Sequence, residues 1–67
     1  FEEEGIPHLL EGLKGENKVV RHYSALGMEE LGEKVISHMD KIIEAENDDY
    51  EYVERVIKRL VTKYAKT

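Results

Sequence analysis

Histidine is the residue type here with the widest chemical range, and it occurs at His8, His22 and His38. Such residues can ligate a metal or move a proton near neutral pH. In a helical bundle a metal site pairs a histidine with Glu or another His three or four positions away on one face. Around His38 those positions hold Lys34, Val35, Lys41 and Ile42, and around His22 they include Lys18 and Ala25. None of these is a ligand. At His22 and His38 the spacing therefore gives no ligand pair, and the expectation for the three histidines is isolated surface or boundary positions with no metal centre.

Carboxylates are abundant, as Glu2-Glu3-Glu4, Glu29-Glu30 and Asp48-Asp49. Acid–base catalysis needs two carboxyls that converge on a pocket with their proton affinities pushed apart. Adjacent helical residues do not face each other, so these pairs read as helix starts and solvated surface. Glu46-Asn47-Asp48-Asp49 lacks the spaced oxygens and central glycine of an EF-hand loop. Of the aliphatic hydroxyls (Ser24, Ser37, Thr62 and Thr67), only Ser37 adjoins a histidine, and on a helix its side chain diverges from that of His38. Gly12-Leu13-Lys14-Gly15 lacks the rest of a phosphate-binding loop, and no G-x-S-x-G occurs. A chain of 67 residues also struggles to enclose a ligand pocket of about 300 Å³ or more. The expectation is a chain with no catalytic residue, no cofactor and no metal.

Charge offers one further chemistry. The net charge is −5, yet Arg55, Lys58, Arg59, Lys63 and Lys66 close the chain with no acid among them. Arg55, Arg59, Lys63 and Lys66 step by four, four and three, forming a helical ridge that could meet nucleic acid or an acidic protein. The acidic first part of the chain opposes phosphate binding, and cations near the end of a helix also complement its dipole. Nucleic acid is thus a disfavoured partner.

The elements that would position these residues are helices. Gly5-Ile6-Pro7 reads as a turn into a short helix lined by Leu9, Leu10 and Leu13, weakened at Gly12 and ended near Gly15. Val19 and Val20 could open a helical turn or an extended segment. A second helix, about 25–46, is predicted from Ser24 or Gly27 as N-cap and from Met28, Leu31, Val35, Ile36, Met39, Ile42 and Ile43 on one broad face. A third, about 48–66, is predicted from Asp48 and Glu51 as a capping box and from Tyr50, Val53, Val56, Ile57, Leu60, Val61 and Tyr64. Glu51 with Arg55 and Glu54 with Lys58 add i,i+4 pairs in the favourable order. The short connection around Glu46-Asn47-Asp48 makes the two longer helices an antiparallel αα-hairpin. The chain reads as a single all-α domain over residues 1–67, either a three-helix monomer or a dimeric four-helix bundle.

A domain of this size buries only about 60% of its unfolded surface, and with no cysteine it has no disulfide staple. Both predicted helices carry stripes too wide for one neighbour. The N-terminal segment, with Leu9, Leu10, Leu13, Val19 and Val20, could supply the other neighbour, and so could a partner, most simply a second copy, or both together. Val35, Met39, Ile42, Val53, Ile57, Leu60 and Tyr64 are the expected partner interface. The expected function is a non-catalytic helical protein-interaction or oligomerisation module. Two alternatives stand beside it: an accessory subunit or helical fragment of a larger enzyme, with which the start at Phe1 is compatible, and a small regulatory nucleic-acid-binding protein using the basic ridge. No apolar run approaches the ~18 residues of a spanning helix, and the acidic start is the reverse of a signal peptide. A cytoplasmic protein with no membrane contact is expected.

Overall fold

The computed structural model describes residues 3–65, and all of its regular elements are helical. After a 3-10 turn at Glu3–Gly5, the first helix, α1, spans Ile6–Leu13 with Pro7 in its opening turn, as the Gly5-Ile6-Pro7 pattern predicts. It buries Ile6, Leu9, Leu10 and Leu13. It closes through Lys14 and Gly15, whose N–H groups donate to the carbonyls of Glu11 and Gly12 at 3.1 Å each.

The next helix, α2, spans Lys18–Leu31, so Val19 and Val20 are helical. Its N-cap is neither Ser24 nor Gly27. Asn17, in an extended conformation, accepts from Val19 N–H at 2.8 Å and Val20 N–H at 3.3 Å through Oδ1, filling two of the helix's orphan donors. Ser24 instead lies buried in the middle of α2, where α1 crosses it. A Cβ on Gly12 would collide with Ser24 Oγ and sit 3.5 Å from Val20 Cγ1. Gly12 therefore has a packing role that offsets its poor helix propensity.

The helix expected over 25–46 is broken. Gly32 caps α2 at φ 63°, ψ −129°, a conformation essentially closed to residues with a Cβ. A 3-10 segment, Gly32–His38, then carries Val35 into the interior, followed by the single turn α3, Met39–Ile42, and a 3-10 turn, Ile43–Ala45. The apolar spacing continues across Gly32, but the backbone does not. Helix α4 spans Glu51–Leu60 and passes into a π-turn at Val61–Ala65. Its expected capping box does not form: Tyr50 is the N-cap and makes no side-chain cap bond. Asp48 Oδ1 accepts from Tyr50 N–H at 2.9 Å, an Asx turn that aims the chain into α4. Glu51 and Glu54 reach Arg55 and Lys58 only loosely, at 3.9 Å each.

The core draws on every helix. Ile6, Met28, Val35, Ile42, Val53, Ile57 and Leu60 are its largest fully buried side chains. The all-α class and the short N-terminal helix stand as expected from sequence. The hairpin of 25–46 and 48–66 is corrected: its first helix is replaced by α2, which ends at Leu31, and a run of short 3-10 and α turns, and its second is α4 with the π-turn.

Candidate interaction surface

The residues expected to meet a partner are largely internal. Val35, Ile42, Val53 and Ile57 are fully buried within one chain, Met39 and Leu60 nearly so, and Tyr64 packs half-buried on the same core. They share one core cluster with Ile6, Leu9, Leu10 and Leu13 of α1 and with Ala25, Met28 and Leu31 of α2, so the wide stripes find their further neighbours within the chain.

The basic ridge is engaged within the chain. Arg59 grips Glu29 on α2 with both arms of its guanidinium, Nε at 2.8 Å from Oε2 and Nη2 at 3.1 Å from Oε1. That hydrogen bonding, then the Coulomb attraction of Glu29, raises the pKa of Arg59 against a small desolvation effect. Arg55 lies near Glu51 and 5.9 Å from the Tyr52 ring centroid, and Lys63 Nζ lies 5.4 Å from the Tyr64 ring centroid. Lys66 lies outside the described residues.

A second polar assembly fixes the loops. Arg21 on α2 donates through Nη1 to the carbonyls of Gly15 at 2.9 Å and Glu16 at 3.0 Å. Its Nη2 meets Asp49 at 3.0 Å and its Nε lies 2.9 Å from Asp48 Oδ2. Beside it runs a concavity of about 520 Å³ whose walls include Leu10, Lys14, Lys41, Glu44 and Asp48. Arg21 and Asp48 there are engaged with each other and with backbone groups.

The exposed apolar surface lies elsewhere. Val19, Val20, Tyr23 and Leu26 are all exposed on α2, Tyr23 at 67%. At 100° per residue, Val19, Tyr23, Leu26 and Glu30 fall on one strip, opposite the buried Ser24, Ala25, Met28 and Leu31. Their steps of four, three and four are the heptad seam of a coiled coil, here facing solvent. That spacing is present in the sequence, but it becomes a seam only once Val19 and Val20 are placed in a helix.

One flank of the strip is aromatic. The His22 ring lies 6.2 Å from Tyr23, 6.1 Å from Tyr50 and 5.7 Å from Tyr52 between centroids, and Tyr50 and Tyr52 meet edge to face at 5.2 Å. Lys18 Nζ sits 5.2 Å from the Tyr50 ring centroid. His22, expected to be isolated, thus joins α2 to the start of α4, in contacts of the kind that favour aromatic pairs. Tyr52 remains exposed beside it.

Among the described residues no group of three or more His, Asp or Glu side chains comes together as a metal site, and no helix is long and apolar enough to cross a membrane. No family model matches the chain, and no curated protein or solved structure does.

Proposed function

We propose that the protein is a non-catalytic helical interaction module that docks through the outer face of α2. One observation carries this reading: Val19, Tyr23 and Leu26 hold a heptad seam in solvent while the core is complete without them. Scattered single apolar residues on a surface need no explanation, but a contiguous strip flanked by aromatic rings is the usual mark of a protein contact. Tyrosine in particular contributes large contact area with few rotatable bonds. The reading puts the module in the cytoplasm, where a cysteine-free chain loses nothing to reducing conditions.

The test is photo-crosslinking in cells. A photoreactive phenylalanine analogue placed at Leu26 should give a discrete protein adduct, whereas the same analogue at the exposed Thr62, on the far end of the chain, should give none. No adduct from position 26, in a variant with wild-type helicity, would end this reading.

A further inference from the structure

We infer that the partner of this face is a second copy of the chain, with the two α2 helices antiparallel about a two-fold axis that passes between Tyr23 and Leu26. The inference rests on the interaction-module reading and specifies its occupant. Three features select the second copy and its orientation.

The first is self-complementarity in register. A seam of Val19, Tyr23, Leu26 and Glu30 turned end for end about its midpoint sets Tyr23 against the other copy's Leu26 and Val19 against its Glu30. Each large ring then faces a smaller aliphatic side chain, the alternation that lets helices interdigitate. The central pair and the outer pair are each made twice.

The second is charge. The outer strip is apolar toward its N-terminal end and closes on Glu30, while the exposed Lys18 and the positive end of the helix dipole lie at the opposite end. Antiparallel pairing brings each Glu30 to the other copy's helix N-terminus and Lys18. Parallel pairing would instead set Glu30 beside Glu30 on the seam, and like charges that close repel. Glu29, next to it, is already neutralised by Arg59.

The third is the flank. On one side of the seam stand His22 and the exposed Tyr52, and on the other the exposed Val20. In an antiparallel pair like flanks meet, so the aromatic flank of each copy lies beside that of the other. The aromatic flanks widen the contact beyond a single seam. A 14-residue helix is about 21 Å long, and a standard interface takes about 800 Å² from each partner. With 4541 Å² of total surface, a contact of that order is within the chain's reach only if the flanks take part. The dimer is accordingly weak and concentration-dependent.

Sedimentation equilibrium over a concentration series, paired with circular dichroism, tests this. The wild type should pass from monomer to dimer, and Leu26→Lys should stay monomeric at unchanged helicity. Glu30→Gln should weaken the dimer about threefold or more, because the interaction occurs twice across the axis; strengthening would overturn the antiparallel arrangement. Since the chain has no cysteine, Tyr23→Cys and Leu26→Cys variants can be mixed and oxidised. The mixed disulfide should exceed its statistical share, and a predominance of like-with-like disulfides would overturn the register. A wild type that is monomeric throughout, with a crosslinked adduct of foreign mass from position 26, would refute the second copy and leave the docking face standing. Absence of any adduct would remove both.

Discussion

Arg21 and Asp48, 27 positions apart in sequence, meet at 2.9 Å with only 14% and 9% of their side chains exposed. The pair ties the α1–α2 connection to the loop that launches α4, since Arg21 also holds two carbonyls of the first loop and Asp48 also holds Tyr50 N–H. Asp49, which Arg21 also touches, is 92% exposed.

The two aspartates should therefore differ sharply on substitution. Asp48→Asn leaves the largely buried Arg21 with only the exposed, solvent-screened Asp49 as counter-charge, and stability should fall by about 3 kcal/mol. Asp49→Asn should cost at most about 1 kcal/mol, as for exposed pairs generally. Urea denaturation of the two variants side by side measures the difference, and equal losses would show that the pair does not act as a buried bridge.

Gly12 and Ser24 should be energetically coupled. Gly12→Ala gains about 1 kcal/mol of helix propensity but forces the Ser24 hydroxyl to move. In a Ser24→Ala background the nearest remaining Ser24 atom, Cβ, is 3.4 Å away, and the propensity gain should emerge. A double-mutant cycle followed by thermal unfolding should give a coupling of about 0.5 kcal/mol or more. Strict additivity would mean that the two helices adjust freely at this crossing.

Substitution of Gly32 should be costly in a distinctive way. Alanine at φ 63°, ψ −129° is strained, and its Cβ would also stand 3.2 Å from Tyr64 Oη. The expected loss is about 1–3 kcal/mol. Asparagine, which tolerates ordinary left-handed helical geometry, should not rescue it, because ψ here lies far from that basin. A rescue by Gly32→Asn would mean that α2 ends with a different backbone.

The Arg59–Glu29 clasp should respond to salt and hardly to mild alkali. The pKa of Arg59 is raised by Glu29, so its contribution is present below the unfolded-state value and is lost only as pH climbs through the still higher folded-state value. The melting-temperature difference between wild type and Arg59→Gln should stay flat from neutral to moderately alkaline pH. It should shrink as salt shortens the screening length, about 8 Å at physiological ionic strength. A difference that fell within the moderately alkaline range would show that some other group governs it.

Much of this molecule is legible in its sequence, for reasons that can be stated residue by residue. Helix α4 could be read because Val53, Val56, Ile57 and Leu60 repeat on one face and all four are buried. Pro7 marked the start of α1 for an equally local reason. The break at Gly32 was hidden, because Met28, Leu31, Val35 and Met39 keep a helical spacing across a backbone that is not continuous helix. Asn17 and Ser24 are both good caps by residue type, and only the buried crossing at Gly12 shows that Ser24 is needed elsewhere. The Arg21–Asp48 tie leaves no local pattern at all.

The covering of the stripes is hard to read for a related reason. Wide stripes need a further neighbour, which either the N-terminal segment or a second molecule could supply, and in the structure the α1 residues share the core cluster with them. The residues then left over, Val19, Tyr23 and Leu26, carry fewer apolar positions than the core stripes. A sequence pattern ranks faces by hydrophobicity and cannot tell which of them the chain covers by itself.

The short span between α1 and α2 also bears on how quickly the chain finds this shape. Only Lys14 to Asn17 separate the two helices, so their crossing at Gly12 and Ser24 closes with little loss of chain freedom. Contacts this local favour fast folding. The α1–α2 unit is thus the natural nucleus, formed before the Arg21–Asp48 contact recruits α4 from further along the chain. On that order, substitutions at the crossing slow folding, whereas those at Asp48 chiefly hasten unfolding.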